Sequence, residues 1–535
     1  MIHSPTFTIH NTTLFSAGPN LFRYAIIIEI LLVFLLPLVS IRASWSQQFL
    51  STTVTVDENK IIRKVPKELF GFNHNWIQSA QLIWDKKKMQ IFPEAADILS
   101  GLSMPLNRMS GSVSQVFRWK QAIGPKSDRV RQQLAAYDAN EKKYFGPLEW
   151  IETTRAIDPT AEFSWVFNLK TETPSDHADL VEFLTGNGLI NFNGGINWAK
   201  KRIEFGLIDP VPIKIWELGN EMDWAGGKAG WSLKKYLFEC KKVIKAVHSI
   251  DSDAAIAVHA ASAPMGQRYR FRDWRKWHRT LLRELGDEID YIAFHAYYRP
   301  NIPSSVFEKY LNVIRDDILN ITGNNHIKIY ISEHAVWPTT PKNKEKKWKE
   351  NWHETHSLAG CLLTAQFINR LLQRDEVEAA AYHSFSAGPW GIFFAGKDNK
   401  LYRTGIFDLF LLFDNAIGDD VVYSSVRGIG TDISKKTLTF TVTAMTSVDG
   451  IHLIMVNREA ENSRMIEFQF NNKYSIAEIT TLSANSIESY NRLSDRSIYS
   501  KIEHLNLKTD FTNYTMPAKS IVFIKLVNCN KREAI

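Results

Sequence analysis

Cysteine is scarce. Cys240, Cys361 and Cys529 are the only three in 535 residues, enough for at most one bridge, so a disulfide framework is excluded, and no metal-type spacing accompanies them. Internal repeats and low-complexity tracts are also missing, which excludes solenoids. The one long hydrophobic run, Ala25 to Val39, is interrupted by Glu29 and Pro37 and, at about fifteen residues, is short for a membrane span. With Arg23 before it and Ser40-Ile41-Arg42-Ala43 after it, residues 1–43 read as a secretory signal cleaved near Ala43, with an uncleaved membrane anchor as the alternative. A secreted, extracellular protein is therefore expected, touching a membrane only if that segment is kept. No charge of one sign is concentrated anywhere: 64 basic and 57 acidic residues leave a net +7, and the densest basic cluster, Lys342 to Lys349, reads as a solvated loop. Nucleic acid is not an expected partner.

What is present is an ordinary globular composition, 44% hydrophobic and 23% charged, in a chain long enough for two domains. Aromatics are plentiful, with 16 Trp. Core packing accounts for most individual tryptophans, but a surplus also suits an aromatic-lined sugar cleft.

The segment Thr52 to Val56 alternates as a strand, turns at Asp57-Glu58-Asn59, and a second strand follows at Lys60 to Lys64. Neither leads into a helix, so both are assigned to an antiparallel sheet. From Leu69 the pattern becomes strand, loop, helix, repeated. Strands are expected at Leu69 to Asn75, Leu106 to Met109, Glu162 to Leu169, Ile213 to Asn220, Ala255 to His259, Tyr291 to Ala296, Ile327 to Ser332 and Ala379 to Ser384. Eight parallel strands close a barrel. Helices are expected at Asp176 to Thr185, Leu233 to Ser249 with Ser232 as N-cap, and Ser357 to Arg374. Beyond about Leu412 short strands take over, at Thr437 to Thr443, Ile451 to Asn457, Met465 to Phe470, Tyr474 to Leu482 and Ser520 to Leu526. The predicted architecture is an α/β chain: a (β/α)8 TIM barrel over residues 66–412 and an antiparallel β-sandwich formed by 50–65 plus 413–530.

Two strands end alike. IKIWELGNEMDW (Ile213 to Trp224) delivers Glu221 after an apolar strand, and IKIYISEHAVW (Ile327 to Trp337) delivers Glu333. Taken alone, a strand-end glutamate is more often a helix cap or an ion-pair partner. Two of them, after matched strands and among aromatics, suit a retaining glycosidase, which needs one carboxyl as acid/base and another as nucleophile. Glu221 beside Asn220 suits the acid/base and Glu333 the nucleophile. Arg108 is placed to keep a carboxylate ionised, His295 or Tyr297 to hydrogen-bond Glu333, and Trp337 and Trp390 to stack on sugar faces, with core packing the competing use of each. Tyr298 divides evenly between core and site. Glu217 reads as a buried or paired structural group, and Asp223 has no specific support as a subsite residue. A metal site built from His295, His334 and His383 is the weakest option, so neither metal nor cofactor is expected.

These residues carry a family resemblance. WELGNEMDW, NRMSGSVSQVFRWKQAIGP (Asn107 to Pro125), FNLKTETP (Phe167 to Pro174) and YISEHAVW (Tyr330 to Trp337) are similar to glycoside hydrolase family 51, the α-L-arabinofuranosidases of clan A, from about Lys67 to Trp390. The C-terminal MPAKSIVFIKL (Met516 to Leu526) agrees. The resemblance implies double displacement with Glu221 as acid/base and Glu333 as nucleophile, pocket roles for Arg108, Asn220 and the Tyr297 region, and early strands packed into the C-terminal sheet. Two places depart from it. Where the family has a strand-one glutamate that binds the furanose this chain reads Gly71-Phe-Asn-His-Asn75, leaving Asn75 as the substrate-binding candidate there, and the usual Gly-Gly-Asn is Ser110-Gly111-Ser112.

The expected activity is thus exo-acting release of arabinofuranose from polysaccharide or oligosaccharide side chains. The alternatives are another clan A retaining hydrolase of the β-xylosidase or β-glucuronidase type, or a catalytically silent carbohydrate-binding protein. Self-association is left open, and Asn320-Ile-Thr and Asn513-Tyr-Thr are glycosylation sequons if the chain enters a eukaryotic secretory pathway.

Overall fold

The computed structural model describes residues 50–529, apart from 75–81, 135–139, 225–229, 265–272, 300–301, 303–304, 340–347, 387, 397–398, 433–437 and 505–509. The N-terminal segment 1–43, the candidate Asn75 and most of the Lys342 to Lys349 cluster lie outside these residues. The elements that follow all belong to one compact unit, Phe49–Ile535.

Strand β1 (Leu50–Lys64) leads into the barrel strands β2 (Gly71–His74), β3 (Leu106–Met109), β4 (Glu162–Val166), β5 (Ile213–Glu217), β6 (Ile256–His259), β7 (Tyr291–Tyr298), β8 (Lys328–Val336) and β9 (Val377–His383). Each barrel strand pairs in parallel with the next and β9 closes on β2. Outside run α1 (Pro147–Ile157), α2 (Pro174–Thr185), α3 (Leu233–His248), α4 (Arg275–Leu285), α5 (Ser305–Thr322), α6 (Leu358–Leu372) and α7 (Gly405–Ala416). The caps are written in the sequence: the side chains of Thr173, Ser232 and Ser357 accept from the backbone N–H groups of Asp176, Lys235 and Gly360, each satisfying a donor that a helix start leaves orphaned.

The barrel is filled by a period-two rule, because alternate side chains of a strand point inward. Its lower layer is apolar, built from Leu106, Ile215, Ala257, Ala293, Tyr330 and Ala381. Two residues further along five of the same strands stand Arg108, Glu217, His259, His295 and His383. Polar chemistry is therefore stacked on an apolar plug at the C-terminal end of the strands, where barrel enzymes hold their sites.

The second half is the expected β-domain, its layers formed by one curled sheet. Strands β10 (Asp420–Gly428), β11 (Phe440–Thr446), β12 (Gly450–Asn457), β13 (Arg464–Gln469), β14 (Tyr474–Ser483), β15 (Tyr499–His504), β16 (Asn513–Met516) and β17 (Ser520–Asn528) join β1 in one nine-stranded sheet, in the order β15, β14, β17, β12, β11, β10, β1, β13, β16. This single sheet curls over its own core, so that Val54 and Phe468 share a cluster with Tyr474 and Ile524. Both faces are apolar, which is why its strands read as continuous hydrophobic runs. Leu453 and Met455 enter the inner cluster, while Ile454 and Val456 join the barrel's. Helix α6 seals the junction: Asn369 donates to Thr441 Oγ1 and Ile454 O, both at 3.1 Å.

The two early strands and their turn are likewise one strand. β1 runs unbroken, pairing antiparallel with β10 and parallel with β13, and the polar triplet after Val56 is absorbed by a register shift between Asp57 and Ile61. A bulge satisfies the same turn-like residues without reversing the chain.

Candidate active site

Glu333 reaches the barrel interior through a parity change. On β7, Ala293 and His295 are two apart, but their partners on β8, Tyr330 and Glu333, are three apart. That extra residue turns Glu333 inward and leaves its neighbour His334 facing out, against Tyr298, Phe367 and Tyr382. The His295, His334, His383 trio is therefore not assembled. His334 is a core residue whose pKa burial pushes down to about 3, and Tyr298 is fully buried with it.

Glu221 arrives differently. β5 ends at Glu217, and Gly219 (φ 77°) and Glu221 (φ 46°) both take left-handed backbone, a conformation uncommon for a residue with a side chain. A Cβ at Gly219 would also collide with Met222 Cγ at 2.8 Å. The chain turns sharply here, and Trp224 N–H donates to Glu221 O at 2.9 Å.

The two carboxylates meet around His295. Glu221 Oε1 lies 2.9 Å from His295 Nδ1, and His295 is also the register partner of Glu333. One carboxylate oxygen of Glu221, one of Glu333 and a His295 ring nitrogen all lie within 4.8 Å of one another. Their surroundings differ. Glu333 accepts from Arg108 Nη1 (2.9 Å), Asn73 Nδ2 (3.3 Å) and the Tyr297 hydroxyl (2.5 Å), and its side chain is 7% exposed. Glu221 has His295 as its partner among the described residues and is 21% exposed.

Burial works against ionisation of Glu333, but His295, His383, Arg108 and the Tyr297 hydroxyl more than reverse it, holding this carboxyl well below the usual range. Burial pushes His383 itself down to about 4. Near neutrality, then, Arg108 rather than His383 is the cation that keeps Glu333 charged. Burial also disfavours the His295 imidazolium, yet Glu333 and Glu221 raise its pKa.

Arg108 ties the floor together. It clamps Glu217 with Nε (2.6 Å) and Nη2 (3.0 Å), reaches Glu333 with Nη1, and donates through Nη2 to Asn220 Oδ1 at 2.7 Å. Asn220 Nδ2 lies 3.5 Å from Ser112 Oγ, and its backbone carbonyl accepts from Gln115 Nε2. Glu217 is the buried, paired group its place in the sequence implies. Asp223 is taken by the backbone N–H and hydroxyl of Ser262.

Tyr297, Trp337 and Trp390 form one aromatic wall, with ring centroids 5.1 to 5.8 Å apart. Trp390 donates its indole N–H to Val336 O at 2.8 Å, so packing claims part of it. Three contributors had no carboxylate-facing role in the sequence, His383 having figured only as a possible metal ligand. Asn73, His383 and Gly111 surround Glu333: Asn73 Nδ2 lies 2.8 Å from His383 Nδ1, and a Cβ on Gly111 would stand 2.9 Å from Glu333 Oε1. The inward parity of Asn73 two residues after Gly71, and of His383 two after Ala381, was the available signal.

Two groups of potential metal-ligand atoms stand out among the described residues: Glu217, His259 and His295, and Glu221, His295 and Glu333. Hydrogen bonds and charge pairing account for both.

Residues 106–315 match the family model described as the alpha-L-arabinofuranosidase 1 domain. An intracellular exo-alpha-(1->5)-L-arabinofuranosidase of Streptomyces lividans is 29% identical over 191 residues, 36% of this chain and 27% of that protein. The enzyme of the same name from Halalkalibacterium halodurans is 27% identical over 260 residues, 46% of this chain and 49% of that protein. The chain thus spans about a quarter to a half of the length of these relatives. The solved GH51 alpha-L-arabinofuranosidase of Thermotoga petrophila superposes with a TM-score of 0.74 at 20% identity, covering 88% of this chain and 99% of that one. The fold is that of the family 51 arabinofuranosidases, as the motifs implied.

Proposed function

We propose that a chain with this fold and this pair of glutamates is a retaining glycoside hydrolase, with Glu221 as acid/base and Glu333 as nucleophile. The observation that carries the reading is the approach of their carboxylate oxygens to within 4.8 Å. Double displacement uses carboxyls about 5–5.5 Å apart, whereas inverting enzymes leave roughly 6.5–9.5 Å for a water. Glu333, kept ionised, attacks the anomeric carbon while Glu221 gives its proton to the departing oxygen. Glu221 then takes a proton from the water that releases the sugar. His295 holds Glu221, Arg108 and Tyr297 hold Glu333, and the Asn220 amide nitrogen is placed to meet a glycon hydroxyl.

The glycon we assign is a terminal α-L-arabinofuranosyl unit on an oligosaccharide or polysaccharide, on the strength of the matched domain and the relatives' names. One observation favours a second reading, a different sugar: the wall beside Glu333 is made of Asn73 and His383, both uncharged near neutrality. Hydrolysis of nitrophenyl α-L-arabinofuranoside, β-xyloside and β-glucuronide by the wild type and by Glu333→Ala tests both readings. Equal rates in the two proteins would remove Glu333 from the chemistry, and a preference for xyloside or glucuronide would replace the glycon.

Secretion, expected from the run Ala25 to Val39, sits against relatives that are named intracellular. Among the described residues no helix is long and apolar enough to cross a membrane. N-terminal sequencing of the protein recovered from its host decides whether residues 1–43 are removed.

A further inference from the structure

The floor of the site contains a third glutamate that no step of the reaction uses. Glu217 is completely buried, and two of its neighbours are groups the reaction depends on. Its Oε2 and Oε1 take Arg108 Nε (2.6 Å) and Nη2 (3.0 Å), and Oε1 lies 2.8 Å from His259 Nε2. His259 Nε2 is also 2.5 Å from the carbonyl of Gly219, two residues before Glu221. Ligand atoms of Glu217, His259 and His295 lie within 4.8 Å of one another. His295 in turn contacts Glu221 through Nδ1, while its Nε2 is buried with no hydrogen-bond partner among the described residues. A polar chain therefore runs from Glu333 through Arg108, Glu217, His259 and His295 to Glu221.

We propose that Glu217 is a positioning residue: a permanently charged carboxylate beneath the reacting pair that orients Arg108 and sets the pH at which Glu221 gives up its proton. This rests on the roles given above to Glu221 and Glu333. The fork from Glu217 fixes the guanidinium plane, so that Nη1 is left for the nucleophile. Its charge offsets that of Arg108, which without it would face Glu333 as a lone buried cation. The other groups facing Glu217 are Tyr330 from β8 and Tyr236 from α3, and burial raises both phenols, keeping them neutral. Arg108 and His259 hold the Glu217 carboxyl, against the opposing effect of burial, down to about 2, so its charge persists through any working pH.

Glu217→Gln keeps the shape and removes the charge. With one negative charge gone, Glu221 ionises more readily, so the alkaline limb of kcat/KM moves to lower pH by about one unit. The expected kcat falls at least tenfold at the optimum while KM stays within threefold, because Arg108 is no longer aimed. An unmoved limb, whatever the loss of rate, would reduce Glu217 to a packing role and overturn the proposal. Should Glu217→Gln not fold, Glu217→Asp keeps the charge one methylene further from Arg108. A tenfold loss of kcat at the wild-type limb is then expected, and a wild-type kcat overturns the aiming role. An inactive wild type would instead sink the hydrolase reading itself.

Discussion

A single methyl group placed on Gly111 probes the proposed nucleophile directly. In Gly111→Ala the new Cβ would stand 2.9 Å from Glu333 Oε1, and beyond its chain neighbours no other described residue comes within 4 Å of it. Ordinary contact begins at 3.4 Å, so the carboxylate must withdraw by 3.4 minus 2.9, about 0.5 Å. Gly111 sits at φ −78°, ψ −138°, outside the regions open to alanine, so the substitution strains the backbone as well. Glu333 cannot yield freely, because Arg108, Asn73 and Tyr297 hold it, and retreat stretches at least one of those bonds. If a misplacement of about 1 Å costs roughly a hundredfold in rate, half that distance costs about tenfold, or about 1.4 kcal/mol of activation free energy. The assay is steady-state hydrolysis of the preferred nitrophenyl glycoside, with the nitrophenol burst separating formation of the glycosyl-enzyme from its breakdown. Formation slows and KM is nearly unchanged, while the fall in Tm reads the backbone strain separately. Gly195→Ala, whose methyl meets nothing within 4 Å, is the neutral control. Wild-type turnover in Gly111→Ala would show that Glu333 is not the group whose position limits the reaction.

Removing the 2.5 Å hydrogen bond from Tyr297 to Glu333 in Tyr297→Phe lowers kcat by ten- to a hundredfold, the equivalent of about 1.5–3 kcal/mol for a bond to a charged group. It also moves the acid limb to higher pH, since that hydroxyl helps hold the Glu333 pKa down; a limb displaced to lower pH would contradict the assignment. Stability falls on acidification from about pH 6.5 to 4.5. Burial depresses His74 and His383 to about 4, and His177, His334 and His356 to about 3, so these five bind protons in the unfolded chain before the folded one. Glu172 and Asp414, raised by burial to about 8 and about 7, act in the opposite sense, as do the smaller upward shifts of Glu152, Glu182, Asp408 and His295, while His278 and His452, both lowered by burial, add to the five. Each net proton contributes about 1.4 kcal/mol per pH unit, and a Tm that stays flat over this window would refute the balance. Asn320 and Asn513 are both exposed, so expression through a eukaryotic secretory route adds glycan mass at one or both, read by mass spectrometry before and after enzymatic deglycosylation.

The barrel was legible because each of its strands is an apolar run that stops at a turn. Leu106 to Met109 matched to the residue, and the other strand limits shifted by a few positions. The sheet was less so. β10, β15 and β16 carry exposed polar positions on edges or beside turns, as in Tyr499–His504, which is exposed at nearly every residue. Such strands are held by ladder bonds that leave no hydrophobic period to read. Glu221, Glu333, Arg108 and Asn220, which the fold brings together, stood out as candidates because strand-end polar residues are conspicuous against apolar runs. The bulge that points Glu333 inward and His334 outward has no signature in composition. Asn73 was given no role, and His383 only that of a possible metal ligand, because a single amide or imidazole at a strand end is commonplace, and their meaning comes from the closure of β9 on β2, which joins residues 310 apart.

The placement of β1 between β10 and β13 has a consequence for synthesis on the ribosome. The first described strand to emerge must wait, unpaired along both edges, until nearly four hundred further residues have been made, while the intervening barrel segments are free to assemble. Any stall or premature stop before β10 is made leaves that strand a bare template for another chain, so products truncated there are expected to be sticky rather than merely inactive.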